Sequence, residues 1–161
     1  MASSRAILLM CLLAAVLCPA LSMPRPRPVR RSLPVDNSRL ANGLSYDYHA
    51  DSCRNLQDIV WPIVASAVLG EAAIAAGLLR IFFHDCFPQG CDASVLLTGA
   101  NSERDMGPNL TLQPRAMQLI EDVRVKVHAA CGATVSCADI IALATRDAVF
   151  VVRTHVSARR R

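Results

Sequence analysis

The 161 residues are 53% hydrophobic but only 4% aromatic, with 17 Lys and Arg against 13 Asp and Glu for a formal charge of +4. That length allows one domain of ordinary size or part of a larger one. The positive charge sits at both ends: residues 1–39 carry six arginines against one aspartate, residues 148–161 carry four arginines, and 40–147 holds seven basic and twelve acidic side chains. A nucleic-acid-binding protein concentrates positive charge on its folded body, so this pattern excludes nucleic acid as a partner.

The mean hydropathy of +0.33 is high for a water-soluble chain. Much of the excess lies in residues 6–21, AILLMCLLAAVLCPAL, directly after Arg5. The run is short for a membrane span, and Ala20-Leu21-Ser22 offers a peptidase site, so residues 1–22 are expected to be a signal peptide cleaved after Ser22. No later run reaches about 18 apolar residues, so no membrane association is expected after cleavage, and the chain is expected to be secreted. Residues 23–43 open with Met23-Pro-Arg-Pro-Arg-Pro-Val-Arg-Arg31 and read as an extended, solvated Pro/Arg-rich arm; a propeptide or polyanion-binding arm is the alternative. Signal removal takes Cys11 and Cys18 and leaves Cys53, Cys86, Cys91, Cys131 and Cys137. Export favours disulfides, and an odd number leaves at least one thiol without a partner in the chain.

Four helices are expected. Asn55 with Asp58 resembles a helix start, and Ile59, Val60, Ile63, Val64, Ala67 and Val68 follow at helical spacing, with Pro62 expected to kink or split the stretch. Residues 71–85 form a second helix rich in Ala, Ile, Leu and Phe. Residues 86–115, with Cys, Pro, Gly, Asp, Asn and Ser, read as a long loop. Residues 116–130 place Met117, Ile120, Val123 and Val127 on one face, and residues 136–149 start with Ser136 as N-cap and Asp139 in the first turn. No useful period-2 alternation occurs, so the fold class is all-α.

Chemistry concentrates in residues 78–97, LLRIFFHDCFPQGCDASVLL. Arg80 and His84 stand four apart and project from one helix face. A fixed positive charge beside a proton acceptor suits a substrate that loses a proton at one atom while another gains negative charge; a surface ion-pairing couple is the plainer alternative. Asp85, Asp92 and Ser94, with the carbonyls around Pro88-Gln89-Gly90, form a hard-oxygen set that suits Ca²⁺, against which stands a simple Asp-capped loop. Cys86 and Cys91 flank the turn and could cross-link it. With His84 they could also be zinc ligands, a reading disfavoured by secretion and by the missing second cysteine pair.

Residues 80–97 resemble the distal haem motif of the secreted plant (class III) haem peroxidases. Ser52-Cys-Arg-Asn-Leu-Gln-Asp-Ile-Val60 is similar to the family's first helix start. Ser102-Glu-Arg-Asp105 with Asn109 is similar to its distal loop, and Val135-Ser-Cys-Ala-Asp-Ile-Ile141 with Arg146-Asp-Ala-Val149 to its fourth helix. The resemblance implies that residues 44–149 are the amino-terminal, distal half of a haem peroxidase domain: about four helices with a long calcium-binding loop. By the same resemblance, His84 is the distal acid–base group, Arg80 stabilises charge as the O–O bond of H₂O₂ breaks, Asn109 accepts the His84 Nδ1–H bond, and Phe83 lines the haem. Asp85, the carbonyls of Pro88 and Gly90, and the side chains of Asp92 and Ser94 hold Ca²⁺, and Glu103 ties the second loop to that site. The family pattern pairs Cys53 with Cys131 and Cys86 with Cys91, which leaves Cys137 unpaired.

Several positions depart from the family. Phe82 stands where His is usual and Pro88 where Val is common, and Pro62 lies inside the first helix. Asn109-Leu-Thr111 forms a glycosylation sequon, expected to be unused if Asn109 faces the haem pocket. After Val149 the family's Gly-Gly-Pro continuation is replaced by residues 150–161, a tail that resembles no part of the family and whose one histidine, His155, is not expected to ligate iron. His49 and His128 are expected at the surface. The expected function is H₂O₂-dependent one-electron oxidation of small phenolic donors outside the cell or in its wall, in the response to oxidative stress and the breakdown of H₂O₂, with haem b and Ca²⁺. Activity is expected to be impaired because the half that carries the proximal His is absent. The alternative is a non-catalytic, calcium-binding secreted fragment. A disulfide-linked dimer or aggregate through Cys137 is expected, with a buried, inert thiol as the alternative.

Overall fold

The computed structural model describes residues 45–159; the signal peptide (1–22), the Pro/Arg-rich arm (23–43) and the arm's boundary at 44 lie outside the described residues. Among the described residues four α-helices follow one another: α1 (Leu56–Gly70), α2 (Ala73–Gln89), α3 (Pro114–Cys131) and α4 (Cys137–Arg159). Between α2 and α3 run three single 3₁₀ turns, Ser94–Leu96, Glu103–Asp105 and Gly107–Asn109. No strand occurs among the described residues, so the fold is all-α. Among these residues no helix is long and apolar enough to cross a membrane.

The apolar periodicity explains the packing. α4 lies against both α1 and α2, and α3 also packs on that pair. Val60 and Val64 from α1, Leu78 and Ile81 from α2, Ile120, Val123 and Val127 from α3, and Ile140, Ile141 and Ala144 from α4 are fully buried in one core. The hydroxyl of buried Thr145 donates to the Leu78 carbonyl (3.2 Å), tying α4 to the middle of α2. Gly77 allows the close approach of α2 to the start of α3: a Cβ there would stand 2.9 Å from Ala116 Cβ and would run into the Gln113 side chain. Disulfides Cys53–Cys131 and Cys86–Cys91 are formed, and Cys137 is free and half-buried.

Several local expectations change. α1 passes through Pro62 without being split; Pro62 and Asp58 both face solvent, where water can take the Asp58 carbonyl that the proline leaves unbonded. Asn55 occupies the N-cap of α1 but makes no side-chain capping bond. Ser136 does cap α4: its hydroxyl accepts the Asp139 N–H (3.0 Å) and donates to the Asp139 carboxylate (2.8 Å). α2 extends to Gln89 instead of stopping at Asp85, so Cys86 and Pro88 belong to its last turn, and Gly90 ends it at φ 113°. α4 continues past Val149; Val151 is buried and Phe150 meets the Trp61 ring edge-on at 5.5 Å. His49 and His128 are half-buried rather than surface residues. His49 bridges Asp139 (3.2 Å) and the Ser52 hydroxyl (3.3 Å), and His128 contacts the Val135 carbonyl (3.2 Å).

A buried carboxylate makes the fold pH-sensitive. Asp147 on α4 takes two bonds from Arg146 at Oδ1, while its buried Oδ2 has no partner. Burial raises its pKa above the ordinary 3.8, and the Arg146 guanidinium only partly offsets this. The folded chain therefore holds this proton to higher pH than the unfolded chain does. Its contribution to stability is complete below 3.8 and is lost as pH rises through the raised value. Asp147→Asn is expected to raise stability at neutral pH and to flatten the decline from mildly acidic to neutral pH. Urea unfolding at the two pH values checks this, and an unchanged slope would assign the pH dependence elsewhere.

Candidate active site

The site forms where one face of α2 meets the loop that leads into α3. Positions 79, 83 and 87 of α2 recur at helical spacing and expose Leu79, Phe83 and Phe87 as an apolar stripe, with Arg80 and His84 beside it. The Phe83 and Phe87 rings lie 4.5 Å apart, tilted by 44° to each other, and Phe83 meets the His84 ring edge-on at 5.7 Å. The helix thus presents an exposed aromatic surface with a base and a cation at its margin.

Hydrogen bonding settles the state of that base. The Asn109 amide donates from Nδ2 to the Glu103 carbonyl (2.7 Å), which fixes its orientation and turns Oδ1 toward His84 Nδ1, 2.6 Å away. An amide oxygen cannot donate, so Nδ1 carries a proton, and in the neutral ring Nε2 is then the acceptor. Consistently, Arg80 Nε donates to His84 Nε2, although at a long 3.4 Å. The rest of the Arg80 guanidinium is held by the turn around Asn109: Nη1 donates to the Thr111 carbonyl (3.1 Å), and Nη2 to the Pro108 carbonyl (3.3 Å) and the Thr111 hydroxyl (2.6 Å). Thr111 was visible in the sequence only as part of the sequon; no spacing rule pointed to its bond with Arg80.

A group of acidic residues, Asp85, Asp92 and Glu103, adjoins these side chains. Asp85 is buried, accepts the Ala93 backbone N–H, and keeps Oδ1 without a partner. Ala93 adopts a left-handed conformation, φ 64°, uncommon for a residue with a Cβ. Burial raises the Asp85 pKa, and the nearby charges of Asp92 and Glu103 raise it further. Asp92 accepts the Ser94 backbone N–H (2.9 Å), and its hydrogen bonding with Ser94 lowers its pKa. The Ser94 hydroxyl donates to the Glu103 carboxylate. Glu103 thus joins the two groups, with its side chain on Ser94 and its carbonyl on Asn109. Pro88 and Gly90 are exposed at the end of α2. Among the described residues, no three His, Cys, Asp or Glu side chains gather closely enough to hold a metal by themselves.

The family model described as Peroxidase matches residues 60–158, more than half of the chain. The chain belongs to the plant peroxidase family. It is 51% identical over 116 residues to the cationic peroxidase SPC4 of Sorghum bicolor, an alignment covering 70% of this chain and 32% of that protein. Peroxidase 70 of Arabidopsis thaliana is 53% identical over 102 residues (63% of this chain, 30% of the relative). Peroxidase 71 of the same plant is 38% identical over 144 residues (89% and 42%). This plant peroxidase chain therefore spans about a third of the length of SPC4 and of peroxidase 70. The matched region includes α2 and the loop to α3, so Arg80, His84 and Asn109 all lie within it.

Proposed function

We propose that this chain supplies the distal half of a secreted haem peroxidase, which reduces H₂O₂ and oxidises small phenolic donors by one electron. The observation that carries the reading is the oriented His84, with Nδ1–H bonded to Asn109 and Nε2 held only by a long 3.4 Å bond from a fixed guanidinium. The exposed stripe of Leu79, Phe83 and Phe87 fits a planar apolar group, so Phe83, Arg80 and His84 would lie against haem b. Bound there, haem would supply the redox iron at which peroxide is cleaved and oxidising equivalents are held.

The remaining chemistry belongs to side chains. His84 Nε2 takes the proton from the nearer peroxide oxygen and delivers it to the departing one. Arg80 faces the charge that develops as the O–O bond breaks, and Asn109 keeps the ring in the tautomer that leaves Nε2 available. The Arg80–His84 contact is long enough for a peroxide to displace it. Transfer of residues 60–149 of this chain into the matching segment of SPC4 tests the reading. The chimera is expected to bind haem and to oxidise guaiacol with H₂O₂, and a haem-binding but inert chimera would overturn it. The chain alone is proposed to have little turnover, because none of its own residues is assigned as the iron's proximal ligand. Purified chain with added haem tests that reading, and sustained turnover would overturn it.

Calcium belongs to the same reading. The buried, unpartnered Asp85 oxygen near two further carboxylates is a site of uncompensated negative charge that a cation would relieve. Asp85, Asp92, the Ser94 hydroxyl and the carbonyls of Pro88 and Gly90 would form the donor set, with Glu103 bracing Ser94. Asp92→Ala is expected to weaken Ca²⁺ binding about tenfold or more by removing an anionic ligand. Calorimetric titration reads this, and an unchanged affinity would remove Asp92 from the set. Binding of Ca²⁺ by a chain that takes up no haem would favour the alternative, a non-catalytic calcium-binding fragment.

Secretion to the extracellular space or cell wall, with loss of residues 1–22, completes the proposal. In that oxidising setting, half-buried Cys137 is proposed to link two copies of the chain. Non-reducing electrophoresis beside Cys137→Ser decides this: a dimer band that the substitution removes is expected, and a monomer in both lanes would rule the dimer out.

A further inference from the structure

Three of the four acceptors around the Arg80 guanidinium cannot be altered independently of the backbone or the base. They are the carbonyls of Pro108 and Thr111, and His84 Nε2. The fourth is the Thr111 hydroxyl, which takes the shortest bond of the set at 2.6 Å. We infer that Thr111 is a positioning residue for Arg80. Its hydroxyl holds the guanidinium on the 108–111 turn and keeps it from closing over the working nitrogen of His84. The inference rests on the peroxidase reading of this site.

The geometry gives the reason. A guanidinium has five N–H donors in a rigid plane, and two carbonyls at its Nη end leave it free to tilt about them. A third, strong acceptor at Nη2 fixes the plane. The Nη end then belongs to the turn, and only Nε faces His84, at 3.4 Å. Without the hydroxyl, the N–H group it releases can reach the His84 Nε2 lone pair, the atom that must accept the peroxide proton. The same turn carries Asn109, whose Oδ1 fixes the other side of the ring. One short segment therefore sets the tautomer of the base and the distance of its cation.

Thr111 is exposed, which makes it accessible to substitution without loss of core. The first test needs no haem. In the full chain, made without glycosylation and with ¹⁵N-labelled arginine, slowed rotation of the Arg80 guanidinium is expected to give resolved Nη resonances. Thr111→Val is expected to average them, and Thr111→Ser to restore them. Thr111→Ala removes the same acceptor without the β-branch and serves if the valine variant loses helix by circular dichroism. Unchanged Nη resonances in a folded Val or Ala variant would overturn the inference.

The second test uses the SPC4 chimera, whose transferred segment 60–149 carries Thr111 together with Arg80 and His84. Loss of the hydroxyl is expected to slow the H₂O₂ step about ten- to a hundredfold, with donor oxidation unchanged and Ser restoring the rate. An unchanged H₂O₂ step would also overturn the inference. An inert wild-type chimera would count against the peroxidase reading, and the nuclear resonance arm would still decide the placement of Arg80.

Discussion

In the haem-loaded SPC4 chimera, His84→Ala is expected to slow the reaction with H₂O₂ by about 10²–10⁴-fold, the contribution of a positioned general acid–base group. The magnitude follows from what His84 is arranged to do. Its Nδ1–H is committed to Asn109 at 2.6 Å, so Nε2 is the sole ring atom that can take the peroxide proton. Asn109→Ala is expected to cost less, because the base survives but loses its fixed tautomer. Stopped-flow mixing with H₂O₂ measures the step directly, with haem uptake as the control for an intact site. Equal rates for the chimera and its His84→Ala variant would remove this mechanism.

The largest expected effect on stability comes from opening Cys53–Cys131. The bridge joins the start of α1 to the end of α3 across a sequence separation of 78, and closing a loop of that length stabilises by about 4 kcal/mol. Cys86–Cys91, with a separation of 5, is expected to contribute about 2 kcal/mol. Against the 5–15 kcal/mol typical of whole domains (about that range), the first loss removes a large share of the total. The double substitution Cys53→Ala with Cys131→Ala is expected to lower the urea midpoint well below that of Cys86→Ala with Cys91→Ala. The opposite order would show that the helical core, rather than the long-range bridge, holds the two ends of the described fold together.

How far the sequence could be read depended on the range of the interaction. Helical periodicity revealed α1 to α4 because the buried stripes of Val60 and Val64 or Val123 and Val127 repeat within one element. Helix ends were harder. The Pro88 and Cys86 signals suggested a stop at Asp85, yet the helix runs to Gln89 and ends only where Gly90 takes positive φ. Polarity placed the 71–85 helix beside a chemically rich loop, and the family resemblance named His84, Arg80 and Asn109 as partners. Geometry then supplied what neither could: the orientation of the Asn109 amide by the Glu103 carbonyl, and the Thr111 hydroxyl on Arg80. Both are contacts across 6 or 31 positions made by loop residues with no periodic pattern. The half-burial of His49 and His128 escaped the sequence for the same reason, since their partners Asp139 and Val135 lie on or beside the start of another helix.

The missing side chain of Gly77 acts as a datum for the site. It lets α2 settle against Gln113 and Ala116, at the point where the loop from Asn109 enters α3. Arg80 and His84 lie one and two turns farther along α2, so the base and its orienting amide are both measured from that single point of contact. Any added methyl there would displace one ruler against the other before it emptied or filled the core. The tolerance of the hydrogen bond from His84 to Asn109, a fraction of an ångström, is therefore set by an atom the chain does not have.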